Sequence, residues 1–172
     1  MPLIVRGARQ VGKTFSIRQC GKTYESFVEI NFVTNPEYKS IFSKSFATND
    51  IIQQMSLLHP ELKFIENNTL IFFDEIQEFP DCTTSLKFFK QDGRYDVICS
   101  GSMMGLNYKE ITSISVGYKQ DVTMYSLDFE EFLWARGYGS EHIDSIFQHL
   151  VDVSQFSSIE MDVMNERSLE YI

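Results

Sequence analysis

Gly7-Ala8-Arg9-Gln10-Val11-Gly12-Lys13-Thr14 decides the reading of this chain. The stretch has the spacing G-x-x-x-x-G-K-[ST] of a phosphate-binding loop, the Walker A motif. Its two glycines let the backbone curl until successive N–H groups point inward at a triphosphate, which makes the run from Gly7 to Thr14 a candidate nucleotide cradle. Lys13 would set its ammonium on the β- and γ-phosphates, and the Thr14 hydroxyl would ligate Mg²⁺. Upstream, Leu3-Ile4-Val5 is a short apolar run that reads as a buried parallel strand. Downstream, Thr14 to Cys20 can form a helix whose N-terminus faces the phosphates. Strand, glycine-bearing loop and helix in that order is the context the motif requires.

Such a loop binds nucleotide; hydrolysis also needs a metal carboxylate and a group that orients water. Leu70-Ile71-Phe72-Phe73-Asp74-Glu75 has the form of a Walker B strand, an apolar run ending in two acids. Read from its residues alone, this strand lies beside the strand that leads into the loop. Asp74 then reaches the Mg²⁺ directly or through a water, and Glu75, one residue on, takes a proton from the attacking water. Ser100-Gly101-Ser102 follows another strand candidate. A hydroxyl there could hydrogen-bond the γ-phosphate or the lytic water; a plain Ser-Gly-Ser turn is the competing reading. Arg9 faces either phosphate or solvent. Gln77 and Glu78 read as supporting or surface residues. Arg94 and Arg136 are arginine-finger candidates for a neighbouring subunit, with surface arginine the better reading of each.

Strand candidates alternate with helical patterns along the first three quarters of the chain. Strands are expected at Phe27–Phe32, Thr69–Asp74, Asp96–Ser100 and Asp121–Tyr125, and helices at 37–45, 50–58 with Asp50 as N-cap, and 83–90 with Gly93 closing it. That alternation predicts a parallel α/β sheet with right-handed connections. From Asp128 the texture becomes helical: 127–137 with Ser126 or Asp128 near its N-cap, then 140–151 and 157–172.

The chain has 172 residues, of which 43% are hydrophobic, enough for one domain with a substantial core. Its net charge of -9 repels phosphate backbones, so direct nucleic-acid binding by this chain is disfavoured. Cys20, Cys82 and Cys99 are odd in number and widely spaced, which argues for buried free thiols rather than a disulfide framework or zinc site. No apolar run approaches a membrane span and no signal peptide is visible, so the expected location is cytoplasmic.

Taken together, "LIVRGARQVGKT", "FVEINF", "LIFFDEIQEFP", "VICSGSMMG" and "MYSLDFEEFLWARG" resemble a family of bacterial and archaeal AAA-type ATPases that pair an N-terminal ATPase core with a C-terminal domain of unknown function. The resemblance runs in order from Leu3 to about Gly137. It implies a P-loop NTPase fold of the AAA-like, additional-strand type: three α/β/α layers around a mainly parallel five-stranded sheet, followed by a helical C-terminal segment. The Walker B strand is then next but one to the P-loop strand, with the sensor strand between them. Carried over by residue, Lys13 and Thr14 are Walker A, Asp74 and Glu75 are Walker B, and Ser100 and Ser102 are sensor candidates. The implied activity is hydrolysis of ATP to ADP and phosphate with Mg²⁺, by a homo-oligomer or with a protein partner. A nucleotide-dependent binding module with negligible hydrolysis is the alternative, and a small-acceptor kinase ranks lower. Family members have a segment before the P-loop strand and continue past the stretch ending at Ile172, so this chain is expected to be a fragment: an ATPase core over 1–127 and the start of a truncated region over 128–172.

Overall fold

The computed structural model describes residues 1–102 and 117–171. Met103-Met104-Gly105 of the quoted resemblance and Ile172 lie outside them. The chain divides into two compact units, Met1–Tyr125 and Ser126–Ile172.

The first unit is built on five strands: β1 (Leu3–Gly7), β2 (Ser26–Asn31), β3 (Thr69–Asp74), β4 (Asp96–Ser102) and β5 (Gln120–Thr123). They form one sheet in the order β2-β3-β4-β1-β5, and every pairing is parallel. β4 therefore separates β3 from β1. The residue-based expectation of a Walker B strand beside the P-loop strand is corrected, and the next-but-one order implied by the resemblance is observed. Hydrophobicity tells that a strand is buried; its neighbours are set by where the crossover connections return the chain.

Period-two alternation gives the sheet two apolar faces. Leu3 and Val5 of β1, Phe27 of β2, Phe72 of β3 and Ile98 of β4 pack with Ile17 on one face, which is covered by α1 (Lys13–Gly21). Ile4, Val28, Ile30, Ile71, Phe73, Val97 and Cys99 face the other way. That side is closed by Ile51 and Met55 of α2 (Thr48–Leu58) and by Leu86 and Phe89 of α3 (Leu86–Asp92). The result is a three-layer α/β/α arrangement. All six residues of β3 are buried, as a strand covered on both faces requires. Phe72 and Phe73 are 0% exposed, and each such burial contributes about 1.5–3 kcal/mol.

Three helix expectations shift. The 37–45 segment is a 3₁₀ helix over Pro36–Phe42, because Tyr38 and Ile41, three residues apart, both turn into the core in a three-residue turn. α2 starts at Thr48 with Ala47 at the N-cap; Asp50 sits in the first turn, where its charge favours the helix dipole instead of capping. The 83–90 stretch is split between a 3₁₀ helix over Pro80–Ser85 and α3. Cys82 and Cys99 are buried free thiols, pushed upward in pKa by that burial and so protonated, whereas Cys20 is exposed, contrary to expectation.

The second unit holds α4 (Phe129–Ala135), α5 (Ser140–Val151) and α6 (Ser158–Tyr171). Asp128 caps α4 through a reciprocal box: its carboxylate accepts from the Glu131 N–H at 2.8 Å and the Glu131 carboxylate accepts from the Asp128 N–H at 3.0 Å. The Tyr171 ring packs on Phe129 and Phe132, and its hydroxyl donates to the Leu127 carbonyl at 2.8 Å, tying α6 to α4. Among the described residues no helix is long and apolar enough to cross a membrane.

Candidate functional site

β1 ends at Gly7 and α1 begins at Lys13, so residues 8–12 make the whole turn from strand to helix. The turn uses two left-handed residues, Gln10 at φ 67° and Gly12 at φ 92°. Glycine adopts that region without penalty; at Gln10 it is strained, and such strain collects at ligand-binding loops. Gly7 is needed for a different reason. The Met124 N–H donates to the Arg6 carbonyl at 2.7 Å, and this brings the Met124 carbonyl oxygen within 2.3 Å of where a Gly7 Cβ would sit. The end of β5 thus clamps the start of the loop.

The Lys13 ammonium folds back over this loop. It donates to the Gly7 carbonyl at 3.1 Å and the Ala8 carbonyl at 2.6 Å. Its positive charge is thereby fixed over the curl of backbone that the motif predicts to hold phosphate.

Asp74, the last residue of β3, is 3% exposed and fully engaged. Its Oδ2 accepts from the Thr14 hydroxyl at 3.3 Å and from the Asn31 amide at 3.2 Å. Its Oδ1 accepts from the Ser100 hydroxyl and from the Glu75 N–H at 3.0 Å. The side-chain partners among these come from α1, β2 and β4, which the sheet order brings together at the C-terminal ends of the strands. Ligands of open parallel sheets bind at that edge.

Glu75 sits beyond the strand in the left-handed region, at φ 56° and ψ 46°. Its carboxylate accepts from the Gln77 amide, and the Gln77 side-chain oxygen accepts from the Ser102 N–H at 3.1 Å. Glu75, Ser100 and Ser102 line one cavity of about 550 Å³ together with Arg9, Lys13 and Thr14. Gln10 and Gly12 also reach it, while Gly7, Ala8 and Val11 form the loop behind it. Asp74 is not in that lining but accepts from two of its residues, Thr14 and Ser100. The sequence-predicted residues thus converge on one place. Arg94 and Arg136 do not join them in that lining: Arg94 is held by Asp92, Glu66 and Asn49, and Arg136 by Glu170.

A sequence model of the AAA domain matches residues 1–133, a span that contains the loop, the Asp74-Glu75 pair and the end of β4. The chain belongs to the AAA domain family. No curated protein matches it. The AAA domain here is of the AAA-type P-loop ATPase class, which makes the protein a nucleotide-binding one of ATPase type.

Two contacts at this candidate site of the AAA domain go beyond the sequence reading. Asn31 stands in register with Asp74 across the β2–β3 pairing, yet in sequence it is only the polar end of a strand. The signal that could have found it is that position, at the C-terminal edge of a parallel sheet. The Gln77 link from Glu75 to Ser102 has no sequence signature. For Mg²⁺, the donor chemistry fits: a hydroxyl and a carboxylate, both hard oxygen donors, meet at 3.3 Å at Thr14 and Asp74. Among the described residues no group of three His, Cys, Asp or Glu gathers around a common point.

Proposed function

We propose that the chain binds ATP with Mg²⁺ in the cavity at the C-terminal edge of the sheet and hydrolyses it to ADP and phosphate. The observation that carries this reading is that Lys13, Thr14 and Glu75 line that one cavity while Asp74 accepts from the Thr14 hydroxyl at 3.3 Å. Backbone N–H groups of Gly7 to Thr14 cradle the phosphates, and Lys13 exchanges its two loop carbonyls for β- and γ-phosphate oxygens, which are stronger, charged acceptors. Thr14 and Asp74 hold the Mg²⁺, which neutralises charge on the phosphates. Glu75 takes a proton from water as the water oxygen attacks the γ-phosphorus. The bond to the bridging oxygen breaks and its electron pair leaves with ADP. Ser100 orients Asp74, and Ser102 lies where it can sense the γ-phosphate.

The matched domain and the strand order support an ATPase core over residues 1–127, with 128–172 as a separate helical segment. The cycle would power or switch a larger homo-oligomer or protein partner. The test is Glu75→Gln: it keeps MgATP binding and loses phosphate release. Equal phosphate release by the mutant and the parent removes Glu75 from its role. ATP binding by the parent with no phosphate release at all points instead to a nucleotide-dependent switch.

A further inference from the structure

Gln77 stands between the Glu75 carboxylate and the end of β4. Its Oε1 accepts from the Ser102 N–H at 3.1 Å, and its Nε2 donates to Glu75 Oε2. The first bond determines the second. A backbone N–H only donates, so the amide oxygen must face Ser102 and the NH₂ must face the carboxylate. The side chain is aimed by a short 3₁₀ turn, Ile76–Glu78, in which Ile76 is 0% exposed and anchors the turn in the core. The Glu78 N–H closes that turn on the Glu75 carbonyl at 2.9 Å. Backbone and side chain of Glu75 are therefore held by the same three residues that follow it.

We propose that Gln77 is a positioning residue for Glu75. It fixes Oε2, leaves Oε1 to accept the proton of the attacking water, and ties the orientation of the carboxylate to the end of β4. The inference rests on Glu75 being the base. The chemistry calls for an amide at this position. Glutamate would have the same shape and could still accept from Ser102, but it would set acceptor against acceptor at Glu75. Alanine would lose both bonds. An error of about 1 Å in placing a reacting group lowers a rate by roughly 100-fold, so one hydrogen bond suffices to matter.

The experiment uses the full chain and reads phosphate release and the equilibrium binding of a fluorescent ATP analogue. The variants are Gln77→Ala, Gln77→Glu, Glu75→Gln and the double Glu75→Gln/Gln77→Ala. Gln77→Ala and Gln77→Glu are each expected to lower kcat about 10- to 100-fold with KM for ATP and analogue binding unchanged. In the Glu75→Gln background, Gln77→Ala is expected to lower the residual rate no further, because Gln77 acts through Glu75. Turnover at the parent rate in either single Gln77 variant overturns the proposal. So does a further loss in the double variant, which would mean direct action, or loss of analogue binding in both single variants, which would make Gln77, a residue of the cavity lining, a structural or nucleotide-contacting one. Normal turnover in Glu75→Gln alone overturns the base assignment instead.

Discussion

The Asn31 amide donates to Asp74 Oδ2 at 3.2 Å, across two paired strands and 43 residues of sequence. The same side chain turns its oxygen the other way. Oδ1 accepts from the Val33 N–H at 2.9 Å and the Thr34 N–H at 3.1 Å. Asn31 thus shapes the turn after β2 and holds the buried carboxylate of β3 at once.

Removing it leaves Asp74, 3% exposed, with one donor fewer on Oδ2. Asn31→Ala is expected to lower stability by about 1–3 kcal/mol, read as a drop in the urea midpoint at constant slope. Asn31→Asp is expected to be worse, because it sets a second carboxylate against Asp74. A parental midpoint for Asn31→Asp would contradict the contact.

Lys13→Ala tests the cradle. The ammonium rests on the Gly7 and Ala8 carbonyls, so its removal costs the folded protein little, while the phosphates lose their charged partner. The expected result is a Kd for MgATP raised by roughly 10-fold or more, worth about 1.4 kcal/mol or more, with the melting temperature of the free protein nearly unchanged. Calorimetric titration and a thermal melt on the same sample separate the two.

Gly7→Ala tests the clamp from β5. The new methyl would lie 2.3 Å from the Met124 carbonyl oxygen, which is backbone and cannot swing aside. Overpacking of this kind costs about 1–3 kcal/mol, and the shift falls where the loop begins, so stability and nucleotide affinity are expected to drop together. Loss of stability with unaltered affinity would show that the clamp does not shape the loop.

Arg94 and Asp92 set an acid-side dependence of stability. The Arg94 guanidinium donates to Asp92 at 2.7 and 2.6 Å, and these bonds, outweighing burial, hold the Asp92 carboxyl below its ordinary 3.8. A carboxyl lowered in the folded state contributes its stability in full above its unfolded value and loses it as the pH falls through the folded one. Arg94→Gln is therefore expected to flatten the fall in urea midpoint below about pH 4. The parent and the variant should converge at the acid end of the range. Parallel curves for the two proteins would contradict the pairing.

Asp128→Ala removes one half of the capping box at α4 and is expected to destabilise that helix by about 1 kcal/mol. Hydrogen exchange in residues 129–135 should speed up, while exchange in the sheet stays unchanged.

What was legible in the sequence is what neighbouring residues do to one another. Gly12-Lys13-Thr14 carries its own turn and charge. Asp74-Glu75 ends a run too apolar to be anything but a buried strand, and Asp128 stands at one of the two positions where an N-cap is expected. The segment after Pro36 was harder to read, because a one-residue difference between 3₁₀ and α spacing is settled by how Tyr38 and Ile41 meet the core.

By itself, the sequence determined an α/β chain with a phosphate loop and an acidic strand end, since each rests on residues within a few positions of one another. Tertiary structure alone decided that Asn31 braces Asp74, that Gln77 binds Glu75 to Ser102, and that Met124 requires a glycine at position 7. The physical reason is common to all three. Each joins segments that parallel pairing or a returning loop places side by side, and a hydrogen bond or a close contact across that gap depends on strand order and register, which no local pattern encodes.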